Sequence, residues 1–97
     1  MALLTVTLNP ALDLESSTEA LVPGDKLRCA EPRRDPGGGG INVARAIALL
    51  GGEAKAVLAA GGPTGEAIAA LLRAEDVPFA LLPAPGETRS NLSVIER

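Results

Sequence analysis

The chain reads Asp35-Pro36-Gly37-Gly38-Gly39-Gly40-Ile41-Asn42-Val43-Ala44 at the junction between a charged segment and a strongly apolar one. Glycine loses much backbone entropy on folding, so four in succession predict a loop without regular structure. Residues 41–50 predict a helix that Gly51-Gly52 ends, and it should be largely buried because only Asn42 and Arg45 are polar. A glycine loop that opens a helix presents free N–H groups and predicts a binding site for a small polar ligand.

The glycine run, residues 37–40, and Asn42 indicate which ligand this site binds. The dinucleotide fingerprint Gly-x-Gly-x-x-Gly fails because a start at Gly37 or Gly38 requires a third glycine where Asn42 or Val43 stands. The P-loop pattern also fails, since no Gly-Lys-Ser/Thr follows. The Asn42 amide can both donate and accept hydrogen bonds, as a hydroxyl-rich ligand requires. The run therefore predicts a sugar-phosphate site, with a flexible turn as the alternative.

Short apolar segments on both sides of this junction predict a layered α/β fold. Runs rich in Val, Leu and Ala predict strands over 3–8, 54–60 and 77–82. A helix is predicted over 66–74, with Thr64 as its cap. Residues 11–15 extend the chain again, and 26–34 and 90–96 alternate as half-exposed strands do, unlike central parallel strands. The order of elements predicts a parallel sheet with extra strands standing off it.

The composition argues against several functional classes. The 97 residues allow one small domain, and its apolar helices need more partners than they supply, so we expect a piece of a longer fold. A net charge of −3 without a basic block argues against nucleic-acid binding. Histidine is absent and Cys29, predicted to be a small buried hydrophobe, is the only cysteine, so we expect no metal site and a reducing, cytoplasmic location. No apolar run reaches the roughly 20 residues of a membrane span.

Four charged residues are candidate ligands for the sugar phosphate. Asp13 follows the first strand, where α/β sheets bind ligands, and its carboxylate can accept from two sugar hydroxyls. A turn-forming aspartate is the equal alternative. Lys26, Arg28 and Arg89 are candidate phosphate contacts, because arginine in particular presents a planar fork that matches phosphate geometry. Ordinary solvated charge is the alternative for these three residues.

Several motifs, taken together and in order, resemble a known family. They are Thr7-Leu8-Asn9-Pro10-Ala11-Leu12-Asp13, Lys26-Leu27-Arg28-Cys29, Gly39-Gly40-Ile41-Asn42-Val43-Ala44, Gly61-Gly62-Pro63-Thr64-Gly65 and Glu87-Thr88-Arg89-Ser90-Asn91. The set resembles the ribokinase-like, or PfkB, carbohydrate kinases and looks closest to the bacterial minor-type 6-phosphofructokinases. This resemblance implies a ribokinase-like α/β parallel-sheet sandwich with a protruding β-strand lid, formed around 11–15, 26–34 and 89–97.

The resemblance also implies an activity and a set of site residues. Members of the family use ATP and Mg²⁺ to phosphorylate a sugar hydroxyl, and we expect fructose 6-phosphate as the substrate and a homodimer formed through the lid. The implied sugar ligands are Asp13, Gly38, Gly39 and Asn42, and the residues facing the sugar phosphate are Lys26, Arg28, Arg89 and Asn91. The alternatives are a 1-phosphofructokinase, a tagatose-6-phosphate kinase or a non-catalytic sugar-binding or dimerisation module. The failed fingerprint disfavours a Rossmann nucleotide module.

One motif of the family is missing from these residues. The catalytic base, the anion hole and the nucleotide pocket belong to a Gly-Ala-Gly-Asp motif, which the 97 residues do not contain. The resemblance therefore implies no catalytic residue here and an ATP site mostly outside this chain. Because phosphoryl transfer depends on positioning and charge stabilisation, we expect the 97 residues alone to be inactive. ATP-dependent phosphorylation of fructose 6-phosphate by the isolated chain would contradict this.

Overall fold

The structure, a computed structural model, describes residues 2–97 and divides them between two small sheets and two helices. The elements in chain order are β1 (Leu3–Thr7), β2 (Ala11–Thr18), β3 (Arg33–Gly37), α1 (Gly39–Leu49), β4 (Ala54–Ala60), α2 (Gly62–Ala74), β5 (Phe79–Pro83) and β6 (Arg89–Glu96). The first sheet has the order β1-β4-β5, and the second has the order β3-β2-β6.

The first sheet is parallel throughout and holds the core. Strand β4 lies between β1 and β5, and α1 packs on β1 and β4. Ile41 of α1, Leu58 of β4, and Ile68 and Leu72 of α2 are fully buried. Burial of each of these side chains contributes about 1.5–3 kcal/mol. The predicted parallel α/β arrangement is confirmed, and the strand predicted over 54–60 has the bounds of β4.

The second sheet stands off the first, as the alternating segments predicted. Strand β2 is its centre, antiparallel to β3 and parallel to β6. It extends to Thr18, three residues beyond the predicted segment 11–15. The hydroxyls of Ser16 and Thr18 are buried there and donate to the carbonyls of Ala30 and Arg28. These long-range bonds satisfy the buried hydroxyls, and the same residues of β2 pair with residues 94–96 of β6.

The strand predicted over 26–34 is wrong in its position. The structure has a strand only from Arg33 to Gly37, and residues 26–32 have no regular structure. The peptide nitrogen of Ala30 donates to the carbonyl of Ser17 at 2.8 Å, so this segment runs beside β2 without a continuous ladder. Pro32 has no N–H to donate, which favours an irregular segment before β3. Cys29 lies in this segment and is exposed, so its predicted burial is also wrong.

The glycine run has regular structure on both sides of Gly38, contrary to the prediction of a free loop. Gly37 ends β3, Gly38 is the N-cap of α1 with a φ of 135°, and the helix begins at Gly39. A Cβ on Gly37 would meet the Asp13 carboxylate, and one on Gly40 would meet the Thr7 hydroxyl at 2.6 Å. Close approach of neighbouring elements therefore explains the glycines better than loop freedom does.

Two predictions about the helices also need correction. Helix α2 begins at Gly62, with Gly61 and not Thr64 as its N-cap, because the Glu87 carboxylate accepts the free N–H of Thr64 at 2.6 Å. Helix α1 is only partly buried: Ile41 and Ala44 face the core, whereas Leu49 is 88% exposed. Nearly continuous apolar composition does not tell which face of a helix meets a partner.

Candidate functional site

A polar groove lies between the second sheet and α1, and it has a volume of about 470 Å³. Three residues predicted to bind the ligand line it: Asp13 from β2, Asn42 from α1 and Asn91 from β6. They come from three elements that are far apart in the chain, so the fold brings them together. Carboxylate and amide groups in one groove can accept from and donate to the hydroxyls of a sugar.

The Asp13 carboxylate is held by both of its neighbouring strands. In the register of the second sheet, Asp13 is opposite Asp35 of β3 and Asn91 of β6. The Asn91 Nδ2 donates to the Asp13 Oδ1 at 3.1 Å. On the β3 side the carboxylate packs against Gly37, where a Cβ would displace it. Asp13 is therefore a strand residue with a fixed carboxylate, and the alternative of a turn-forming aspartate is wrong.

The start of α1 forms one end of the site. Gly38 caps the helix without a side-chain hydrogen bond, so the first-turn N–H groups are available to oxygen atoms of a ligand. The Cβ position of Gly39 faces open space, with nothing within 4 Å. Asn42 follows one turn later and is exposed. Beneath the run, the buried hydroxyl of Thr7 has no hydrogen-bond partner among residues 2–97.

Arg89 lies near this site. It begins β6 two residues before Asn91, so both side chains lie on the same face of the strand. Its Nη2 donates to the carbonyl of Asn9 at 3.2 Å, beside a cavity of about 190 Å³ behind the carboxyl ends of β1, β4 and β5. Arg89 is exposed, and its guanidinium is close to the edge where α/β sheets bind ligands.

Lys26 and Arg28 do not share the groove of Asp13. They line a separate groove of about 430 Å³ beside Thr18, at the other end of β2. Thr18 lies five positions after Asp13 along the strand, a distance of about 16 Å. Within one chain, therefore, the structure groups Asp13, Asn42 and Asn91, places the glycines and Arg89 beside them, and leaves Lys26 and Arg28 apart.

Arg45 lines the same groove as Asp13, although it belongs to none of the sequence motifs. Its Nε and Nη2 both donate to the Glu75 carboxylate at 2.7 Å, and Nη2 also reaches the Asp35 Oδ1 at 3.4 Å. The hydrogen bonds to Glu75 raise the pKa of Arg45 most strongly. One signal was available in the sequence: Arg45 is the one charge in an apolar helix and lies three residues after Asn42, on the same face.

Two further findings concern metals and membranes. Within residues 2–97, no group of three or more His, Cys, Asp or Glu side chains is arranged to hold a metal ion. Neither α1 nor α2, the helices of this described part, is long and apolar enough to cross a bilayer.

The chain is similar to known proteins over nearly its whole length. The family model described as pfkB family carbohydrate kinase matches residues 6–97. The ATP-dependent 6-phosphofructokinase isozyme 2 of Escherichia coli K12 is 54% identical over 90 residues, which are 93% of this chain and 29% of that protein. The protein of the same name from Mycobacterium tuberculosis CDC 1551 is 48% identical over 94 residues, or 97% of this chain and 28% of the relative. The chain thus spans less than a third of these relatives.

A solved structure shows the same fold. The crystal structure of phosphofructokinase-2 from Escherichia coli in complex with fructose-6-phosphate matches with a TM-score of 0.90 and 53% sequence identity. The match covers 96% of this chain and 31% of that one. The fold described above is therefore that of the corresponding part of a ribokinase-like kinase.

Proposed function

The chain belongs to the pfkB family of carbohydrate kinases, and from this premise we propose that it is the sugar-binding part of an ATP-dependent 6-phosphofructokinase. The reaction is the phosphorylation of fructose 6-phosphate to fructose 1,6-bisphosphate, a step of glycolysis. The observation that carries the proposal is the groove in which Asp13, Asn42 and Asn91 meet beside a glycine-opened helix. The two curated relatives reported above, which bear the name of 6-phosphofructokinase, support this choice of sugar.

Each side chain in the groove has a role that its chemistry supports. The Asp13 carboxylate accepts hydrogen bonds from sugar hydroxyls, while Asn91 holds it in place at 3.1 Å. Asn42 donates to and accepts from a further hydroxyl. The backbone at Gly38 and Gly39 contributes N–H donors at the helix start. These residues bind and orient the sugar, and we assign none of them a proton transfer.

The phosphate of the sugar requires cationic partners. Arg89 is the phosphate contact that lies near the groove in the same chain. Lys26 and Arg28 are further proposed phosphate contacts, but they line a groove at the other end of β2. Their participation therefore depends on how the second sheet is arranged around a ligand or against another copy of the chain.

The proposed co-substrate and metal are ATP and Mg²⁺, and the residues described here do not fit either of them. The glycine run has no P-loop lysine, and the Asp13 carboxylate against Gly37 would repel a polyphosphate. Among residues 2–97, acidic side chains form no cluster for a cation. We therefore assign the acceptor sugar to this loop and derive no step through ATP or the metal.

We also propose that the chain forms a homodimer through the second sheet, and that this sheet corresponds to the lid of the family. Strands β3 and β6 are its edges, and Leu92 and Ile95 of β6 are 65% and 49% exposed. Edge strands with exposed apolar residues favour pairing with another chain. Sedimentation of the intact protein tests this, and a purely monomeric protein contradicts it.

We further propose a cytoplasmic location. The sugar phosphates and ATP of the proposed reaction support it, as does the unpaired Cys29.

A comparison of three substrates tests the proposed function. Steady-state kcat/KM of the intact protein is measured with fructose 6-phosphate, fructose 1-phosphate and tagatose 6-phosphate, with ATP as the donor. We expect the highest value with fructose 6-phosphate. A preference for either of the other sugars would replace this assignment, and sugar binding without turnover of any of them would favour a non-catalytic module.

A further inference from the structure

Arg45 connects three parts of the molecule: α1, the end of α2 and β3. It lies on α1, and its bidentate pair with Glu75 reaches the residue that follows α2. The same guanidinium contacts Asp35 of β3 at 3.4 Å and the carbonyl of Pro36 at 3.5 Å. The first sheet with its helices and the second sheet therefore share one cationic side chain.

This connection lies beside the sugar groove. Asp35 is directly opposite Asp13 in the β2–β3 register. Asn42 lies one turn before Arg45 on α1, so both side chains are on one face of the helix. The contacts of Arg45 can thus affect both walls of the groove. On one side they act on Asp13 through Asp35, and on the other they act on Asn42 through α1.

The opposed carboxylates of Asp13 and Asp35 make the groove sensitive to the loss of Arg45. Directly opposed residues on neighbouring strands have Cβ atoms about 4.5–5.5 Å apart, and like charges there are destabilising. Arg45 offsets the charge of Asp35, which lowers the repulsion on Asp13. Arg33 also pairs with Asp35 at 2.9 Å, but its side chain is 74% exposed compared with 25% for Arg45. An exposed pair is strongly screened, so the pair with Arg45 should matter more.

We propose that Arg45 is a positioning residue that holds the second sheet against α1 and thereby sets the width and charge of the sugar groove. Its effect on kinetics rests on the proposed function, whereas its effect on the second sheet does not. A direct phosphate contact is the competing role. That role is disfavoured because a bidentate contact with phosphate would use a pair of donors such as Nε and Nη2. Both of these atoms already donate to Glu75.

A kinetic cycle in the intact protein separates the two roles. Glu75→Gln weakens the hydrogen bonds that hold Arg45 but leaves its positive charge in the groove. Arg45→Gln removes that charge. If Arg45 acts by position, each variant raises the sugar KM by about tenfold, as expected for losing a charged hydrogen bond, and leaves the ATP KM unchanged. The double variant should be no worse than the single ones, because both break the same network. An unchanged sugar KM in Glu75→Gln overturns the proposal.

Arginine geometry provides a second kinetic readout. Lysine keeps the charge but cannot make the bidentate pair with Glu75. Arg45→Lys should therefore recover only part of the rise in sugar KM seen in Arg45→Gln. Full rescue by lysine would overturn the positioning role, because a point charge would then be sufficient.

Hydrogen exchange tests the proposal without any substrate. In the intact protein, Arg45→Gln should speed exchange of the β3 amides by about tenfold through local opening, while β4 is unchanged. Arg34→Gln is the matched control: Arg34 is exposed in β3, and strand alternation directs it away from the face of Asp35. Unchanged β3 exchange in Arg45→Gln overturns the proposal. If β3 exchange is faster in Arg45→Gln but the intact protein phosphorylates no sugar, the positioning role of Arg45 is supported and only the proposed function is rejected.

Discussion

Asn91 donates a hydrogen bond to the Asp13 carboxylate at 3.1 Å although 78 positions of the chain separate the two residues. They are direct neighbours because β2 and β6 pair in parallel with these two residues in register. The amide hydrogen bond orients the Asp13 carboxylate within the groove. This relationship makes the two residues one unit of the proposed sugar site.

The first prediction concerns that pair. Asn91→Asp places two carboxylates side by side, so the sugar KM should rise by about tenfold at pH 8, as expected for losing a hydrogen bond to a charged group. Like charges raise the pKa of one partner. As the pH falls, one carboxyl becomes protonated and donates to the other, so the sugar KM should recover toward pH 5.5.

A matched control places the same charge elsewhere on β6. Ser90→Asp adds a carboxylate on the opposite face of the strand. Steady-state kinetics across the pH range should show little change in that variant. A pH-independent KM in Asn91→Asp would show that the two side chains do not act together.

The second prediction concerns Asn42. Asn42→Ala removes a donor and an acceptor from the groove, so the sugar KM should rise at least about tenfold, while the ATP KM changes little. Val43→Ala is the control, because Val43 is the next residue on α1 and is 52% exposed. Equal effects of Asn42→Ala on both KM values would count against assigning this loop to the acceptor sugar.

The third prediction separates two neighbouring glycines. Gly37→Ala drives a methyl group into the Asp13 carboxylate, so it should lower stability by about 1–3 kcal/mol and weaken sugar binding. Gly39→Ala meets nothing in the protein and replaces a helical glycine, so it should preserve or slightly raise stability. Its methyl group nevertheless occupies the space for the ligand, and the sugar KM should rise.

Denaturant unfolding and steady-state kinetics of both variants check this contrast. A Gly39→Ala variant with unchanged sugar KM would remove Gly39 from the proposed site. A Gly37→Ala variant as stable as the parent would show that Asp13 moves aside freely.

The fourth prediction is a pH dependence of stability at helix α2. Hydrogen bonds from Thr64 hold the pKa of Glu87 below its ordinary value of 4.5. A lowered folded pKa means that the stabilisation is present above pH 4.5 and is lost as the pH falls through the folded value. Glu87→Gln cannot titrate, so its unfolding free energy should fall less between pH 6 and about pH 3 than that of the parent.

Urea unfolding at several pH values measures this difference. Glu66→Gln makes the same change of charge on the exposed side of α2 and serves as the control. Identical pH profiles for the parent and Glu87→Gln would show that the carboxylate does not cap the helix.

The parts of this protein that local pattern determines were predictable from the sequence. Strand β4 follows from an apolar run bounded by turn residues, and the end of α1 follows from the glycine pair after Leu50. Asp13 and Asn42 were predictable as candidate ligands because one follows the first strand and the other follows the glycine run. The ordered motifs around them were specific enough to identify the family.

Long-range contacts explain the elements whose predicted bounds were wrong. The extension of β2 through residues 16–18 pairs with residues 94–96 of β6, and the hydroxyls of Ser16 and Thr18 also donate to carbonyls 14 and 10 residues away. The segment 26–34 alternates as a strand does, yet it pairs regularly only from Arg33 onward. Periodicity describes how side chains alternate along one segment, and it contains no information about which partner is present.

The sequence by itself thus determined the parallel α/β class and the family, because spacing and residue chemistry within short segments are sufficient for these. It also predicted the glycine-opened helix as a ligand site. Only the tertiary structure decided that Asn91 meets Asp13, that Lys26 and Arg28 lie at the other end of β2, and that Arg45 of α1 pairs with both Glu75 and β3. Strand register and helix docking are set by packing of the whole chain, so residues far apart in sequence become neighbours only when it folds.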